Sequence, residues 1–285
     1  MDPSWMDGGY WSSCDIIATR KKYRSERSLM GSTRMQTHAM RMAELDLRVV
    51  EPVDPVAPSR PPVVVLLHGF SMRADDLAPF GASMGLPAVF VFPDGPIDLT
   101  ARGLDGRAWW MIDVVARDAA ISRGEDRDLS AERPAGLGNA RDGLVRLVQD
   151  VQRAWPDRPL FLGGFSQGAI LTLDMVVRTG FRPAGLVLLS GARVDAATLA
   201  PRLVHLRDVP IFQSHGRSDR ELSFAAAEAL RNELVTAGAA VQWWPFDGGH
   251  EIPLPVLREL KKFIRLQARA ETEPMTNDIV RSDNS

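Results

Sequence analysis

The tightest constraint on the fold is the run Val63-Val64-Val65-Leu66-Leu67. A strand with one wet face alternates apolar and polar residues. An unbroken apolar run rich in β-branched residues describes a strand covered on both faces, as in a mostly parallel sheet. Similar runs recur at Ala88 to Phe92, Leu160 to Gly163, Gly185 to Leu189, Pro210 to Ser214 and Val241 to Phe246. Between them apolar residues fall at helical spacing: Leu144, Leu147, Val148 and Val151, then Leu222, Ala226, Ala229, Leu230 and Leu234. A last helix is expected from about Leu254 to Leu266. Strands alternating with helices predict an α/β domain whose mostly parallel central sheet is covered by helices on both faces.

The ordered domain is expected to span residues 43–270. Leu45, Leu47 and Val49 alternate with Asp46 and Arg48 as in a strand with one buried face. Before it, Trp5, Tyr10, Trp11, Ile16 and Ile17 follow no period, and Arg20 to Arg27 is charged. Residues 1–42 are therefore read as a disordered leader, with everything before about Arg41 dispensable for catalysis. Residues 271–285 are polar and read as a frayed tail.

Of the 285 residues 45% are hydrophobic, enough for a buried core, and the formal net charge is −2. Neither an acidic nor a basic excess points to nucleic acid as a partner. Cys14 is the single cysteine, which rules out an internal disulfide and a cysteine-based zinc site. No run reaches the length of a membrane span and no apolar secretory signal is present, so a cytoplasmic protein without integral membrane association is expected. No metal or cofactor motif is found. Oligomeric state is not legible.

Residues Pro96 to Gly138 break the rhythm. They are rich in Gly, Arg and Asp, with Trp109, Trp110 and Met111 embedded, and a long irregular segment in a compact domain is commonly a lid or pocket wall.

The chemistry concentrates at Gly164-Phe165-Ser166-Gln167-Gly168, a G-x-S-x-G pattern. A predicted strand precedes it and the apolar run Ala169 to Leu173 follows as a helix. This strand–turn–helix setting is the one in which such a serine is presented as a nucleophile. A hydroxyl is a weak nucleophile and needs a base, which in turn needs an orienting acid. Chains with this elbow place the acid and then the histidine after the serine. Asp219 and His250 each follow a predicted strand end, where open α/β sheets build their sites. Asp219 is preferred to Asp247 and Asp195. His205 precedes a strand, and His215, though at a strand end, lies too close to Asp219 to swing onto the serine. Two N–H donors must face a tetrahedral oxyanion. The expected ones are the backbone N–H of Gln167 and of Phe70, with Ser71 as the alternative to Phe70. His68 is read as structural.

The order and spacing of several motifs resemble the acyl-protein thioesterase, carboxylesterase and lysophospholipase group of α/β-hydrolases. The resemblance runs from Leu45 to about Leu266. It rests on Leu67-His68-Gly69, Phe92-Pro93-Asp94-Gly95-Pro96, Gly164 to Ala169, Ser190-Gly191, His215-Gly216-Arg217-Ser218-Asp219 and Gly249-His250-Glu251-Ile252. It implies the α/β-hydrolase fold and a nucleophile–acid–base set of Ser166, Asp219 and His250, with oxyanion donors at Phe70 and Gln167. The substrate implied is a small acyl ester or thioester, and no cofactor is implied. Arg107-Ala108-Trp109-Trp110 resembles the family's acyl-site segment, which makes Trp109, Trp110 and Met111 expected substrate-binding residues. Met111, Leu222-Ser223 and Ser71 to Asp75 depart from the family pattern, which leaves the reaction intact and opens the substrate. A non-catalytic relative used as a binding module is the alternative from another class.

Overall fold

A computed structural model describes residues 33–54 and 60–270. Its main sheet has eight strands in the order β1-β2-β4-β3-β7-β8-β9-β10. The strands are β1 Met35–Met42, β2 Leu45–Pro52, β3 Val63–Leu67, β4 Val89–Pro93, β7 Leu160–Phe165, β8 Gly185–Leu189, β9 Pro210–Gly216 and β10 Ala240–Phe246. A separate short ribbon joins β5 Ile97–Asp98 to β6 Arg107–Ala108. From β4 to β10 every neighbouring pair in the main sheet is parallel, and β1 and β2 add an antiparallel hairpin at one edge. The helices are α1 Ala74–Met84, α2 Val114–Ser122, α3 Leu137–Ala154, α4 Gln167–Thr179, α5 Ala196–Leu199, α6 Phe224–Thr236 and α7 Leu254–Ala270.

Side-chain alternation divides the core into two layers, one on each face of the sheet. In β3, Val63, Val65 and Leu67 pack with the α3 and α4 residues Leu144, Leu147, Val148, Leu171 and Leu173. Val64 and Leu66 point the other way, to the α1 and α7 residues Leu77, Phe80, Leu257, Leu260 and Phe263. All five residues of β3 are buried, as the unbroken run predicted. Each of the other predicted inner strands is present, and the helices expected before, after and between them form where the apolar periods lie.

The expected N-terminal boundary needs correction. Met35–Met42 falls inside the stretch read as leader, yet it forms β1 and pairs with β2 over its whole length, from Met35↔Pro52 to Met42↔Leu45. The turn is Ala43-Glu44, both with positive φ (48° and 64°), the two-residue geometry that matches strand twist in a hairpin. The Ala43 N–H is also held by Asp150 Oδ2 at 2.9 Å, tying the turn to α3. The remainder of the predicted leader, residues 1–32, and the predicted tail, 271–285, lie outside the described residues. Among the described residues no helix is long and apolar enough to cross a membrane.

Candidate active site

Ser166 stands between β7 and α4 with φ 54° and ψ −118°, a region that non-glycine residues rarely occupy. The turn is this sharp because its neighbours leave no room for another path. A Cβ on Gly168 would lie 2.4 Å from the Leu67 carbonyl oxygen and 2.7 Å from that of His68. Strand β3 and the first turn of α4 are therefore in backbone contact, which lifts Ser166 above the sheet's C-terminal edge.

Asp219 and His250 come from the loops after β9 and β10. These loops are stitched together: Ser218 N–H donates to Gly248 O and Arg217 N–H to Phe246 O, both at 2.9 Å. A Cβ on Gly216 would come within 2.2 Å of Gly249 O, so only glycine permits this approach. The outcome is a continuous chain of contacts. His250 Nε2 lies 2.8 Å from Ser166 Oγ, and His250 Nδ1 lies 2.7 Å from Asp219 Oδ2. Phe165 packs against the His250 ring at a centroid distance of 4.8 Å. The other carboxylate oxygen, Asp219 Oδ1, accepts the N–H groups of Glu221 (2.8 Å) and Leu222 (3.0 Å). Burial pushes the Asp219 carboxyl up, but the His250 hydrogen bond, the favourable electrostatics of the neighbouring His250 and His215 rings and the Leu222 N–H prevail and hold it below the usual carboxylate range. Asp219 is thus ionised, Nδ1 of His250 carries the hydrogen that meets it, and Nε2 is left to accept from the Ser166 hydroxyl.

Among the described residues the two expected oxyanion donors have no competing acceptor. Gln167 opens α4, where an N–H has no intrahelical partner, and the Phe70 N–H makes no hydrogen bond among the described residues. The alternative, Ser71, is engaged: its N–H donates to Arg107 O at 3.0 Å. His68 takes the structural place expected of it. Its Nε2 accepts the Gly95 N–H at 2.8 Å, so its hydrogen lies on Nδ1, which donates to Gly69 O at 2.7 Å. Gly69 O belongs to the same peptide unit as the Phe70 N–H, so the buried His68 fixes that N–H in space.

The three predicted substrate contacts divide. Trp109 and Trp110 are only 2% and 3% exposed and belong to the α3/α4 core layer. Little of either indole is thus exposed, and Trp109 Nε1 donates to His68 O at 2.9 Å. Met111 keeps partial exposure. The segment Pro96 to Gly138 is also less irregular than its sequence reads, since it holds β5, β6 and α2. Arg117 of α2 lies over the Phe70 ring, 6.0 Å from its centroid, and 3.8 Å from Glu221, two residues after Asp219. Two contacts were not foreseen: the clamp of Gln167 on the tryptophan segment, and His215, which packs against Asp219. Among the described residues no group of three or more His, Cys, Asp or Glu side chains is arranged to hold a metal ion.

A serine presented at a strand–helix elbow of a mostly parallel sheet, facing a histidine and an acid from later strand ends, defines a hydrolase of the α/β-hydrolase fold. Comparison narrows the class. The profile of the phospholipase/carboxylesterase family matches residues 46–268, and the chain belongs to that family. It is similar to acyl-protein thioesterase 1 of Neurospora crassa, 27% identical over 183 residues, 61% of this chain and 72% of that protein. It is also 26% identical over 126 residues to carboxylesterase SOBER1 of Arabidopsis thaliana, covering 44% of this chain and 55% of the relative. Among solved structures, esterase PE8 aligns with a TM-score of 0.61 at 24% identity, over 76% of this chain and 97% of that one. Acyl-protein thioesterase 2 of Zea mays aligns with a TM-score of 0.61 at 20% identity, over 78% and 98%. These two likenesses carry the fold.

Proposed function

We propose that the chain is a serine carboxylesterase that cleaves small acyl esters, and thioesters of similar size, through an acyl-enzyme on Ser166. The observation that carries the reading is the unbroken contact from Ser166 Oγ through both His250 nitrogens to Asp219. As Ser166 Oγ attacks the carbonyl carbon, its proton passes to His250 Nε2, and Asp219 stabilises the imidazolium that forms. The negative oxygen of the tetrahedral intermediate is received by the N–H groups of Phe70 and Gln167. The positive end of α4 points to the same place. Collapse expels the alcohol or thiol, which takes the proton from His250. Water then repeats the sequence on the acyl-enzyme and returns free acid and Ser166.

Met111 offers surface to the acyl group, with Trp109 and Trp110 holding it from inside. Short to medium chains are favoured, because Arg123, Glu125, Asp126, Arg127 and Asp128 crowd the segment after α2 with charge. A fluorophosphonate should label Ser166 and abolish hydrolysis of nitrophenyl esters. A folded protein that resists labelling is a binding module rather than an esterase. Across esters of graded length, log kcat/KM should rise by about 0.6 per buried methylene, from ~0.8 kcal/mol each, and then flatten. A rise continuing to palmitoyl length points instead to a lysophospholipase.

A further inference from the structure

His215 lies at the end of β9 with its side chain fully enclosed. Its Nε2 stands 3.1 Å from Leu222 O and 3.3 Å from Asp219 Oδ2. A carbonyl and an ionised carboxylate can only accept, so Nε2 must carry a hydrogen. Nδ1 is buried with no hydrogen-bond partner among the described residues. A second proton there would have nothing to meet, and burial, together with repulsion from His250, lowers the affinity of the ring for it. His215 is therefore a neutral ring of fixed tautomer whose single N–H donates to Leu222 O, with Asp219 Oδ2 beside it at 3.3 Å. Phe224, at the start of α6, packs against it with a centroid separation of 6.2 Å and an interplanar angle of 60°.

The oxygen it approaches is the one that matters. Asp219 Oδ1 is already held by two backbone N–H groups, whereas Oδ2 is the oxygen facing His250 Nδ1. The direction of Oδ2 therefore depends on the turn that pins Oδ1, and His215 Nε2–H bonds to that turn at Leu222 O. We propose that His215 is a positioning residue for the hydrolysis: its Nε2–H, bonded to Leu222 O, holds the turn whose N–H groups grip Asp219 Oδ1, and so keeps Oδ2 in the orientation in which it receives His250 Nδ1–H. This rests on the roles given above to Ser166, Asp219 and His250. A neutral donor suits the task. It steadies the carboxylate without cancelling the negative charge that must stabilise the His250 imidazolium, as a cationic neighbour would.

The test uses the full chain, a short nitrophenyl ester, and the variants His215→Leu, His215→Gln and His215→Asn. A glutamine amide nitrogen reaches about as far as the histidine Nε2, while that of asparagine reaches only about as far as Nδ1. His215→Leu should lower kcat about 3- to 10-fold, the usual worth of a hydrogen bond between neutral groups, with KM within about twofold. His215→Gln should recover most of that loss, and His215→Asn should not. In an Asp219→Asn background, His215→Leu should cost little more, because the oxygen it positions no longer carries charge. Wild-type kcat in His215→Leu overturns the proposal. Should that variant not fold, equal kcat for the glutamine and asparagine variants, measured at temperatures where both are folded, overturns it as well. Failure of the underlying reading looks different: Ser166→Ala would then turn over ester at the wild-type rate, whatever the His215 variants do.

Discussion

Gln167 Oε1 accepts the backbone N–H of Trp109 at 2.9 Å, while Gln167 Nε2 donates to Trp110 O at the same distance. The residue after Ser166 thus works at two ends. Its backbone N–H faces the reacting oxygen in the proposed mechanism, and its side chain anchors the segment that carries Met111. Gln167→Ala keeps the N–H and strands two buried polar groups, each costing about 1–3 kcal/mol. Urea unfolding should show a lower midpoint and a loss of unfolding free energy of that size. A midpoint equal to wild type would mean the clamp contributes nothing.

Replacing the triad members should give unequal and non-additive losses. By analogy with serine proteases, Ser166→Ala and His250→Ala should each reduce kcat on the order of 10⁶-fold, and the double variant should be little worse. Asp219→Asn should cost about 10⁴-fold. Retention of full kcat by any of the three single variants in an ester assay would remove that residue from the mechanism.

Two buried histidines set an acid limit on stability. Burial lowers the pKa of both His68 and His215 below the ordinary value near 6.5. As pH falls below 6.5 the unfolded chain binds protons there that the folded chain refuses, so folding weakens by up to about 1.4 kcal/mol per pH unit for each ring. The Asp219 carboxyl is held low, so its contribution is present above the usual carboxylate value and is lost only as pH falls through its folded value. Unfolding free energy measured at pH 7.5 and 5.5 should therefore drop, and His215→Gln should reduce the slope. Equal stabilities at the two pH values would contradict the assignment of neutral buried rings.

Deleting β1 should harm the fold. A chain beginning at Met42 loses the strand and leaves the β2 edge open to pairing with other chains. Its melting temperature should fall by about 5 °C or more, given roughly 2–4 °C per kcal/mol for a domain of this size. A chain beginning at Ser32 keeps the hairpin. If light scattering and calorimetry cannot distinguish the Met42 chain from the full one, the hairpin is an ornament.

Legibility in the sequence followed burial. The inner strands announced themselves because both faces are covered, as in Gly185–Leu189, and the serine elbow because its glycines are compelled by backbone contact. β1 was hidden: it is an edge strand with no buried residue, and its turn, Ala43-Glu44, lacks the Gly or Asn that marks such hairpins. α1 was hidden by Pro79 and Gly81 in its interior, residues that argue against a helix. The Gln167 clamp joins residues 58 positions apart, and the approach of His215 to Asp219 depends on how the β9 loop folds back. No local pattern encodes either.

Among the described residues β10 has β9 as its single neighbour in the sheet, and His250 lies in the loop just after β10. Strand ends at a sheet margin open with less free energy than the interior. Such an opening would carry the imidazole away from Ser166 while β3, β7 and the two core layers stayed closed. Warming or mild denaturant should therefore silence the enzyme before its spectroscopic melt begins, and amide exchange in Ala240–Phe246 should track the lost activity rather than global unfolding.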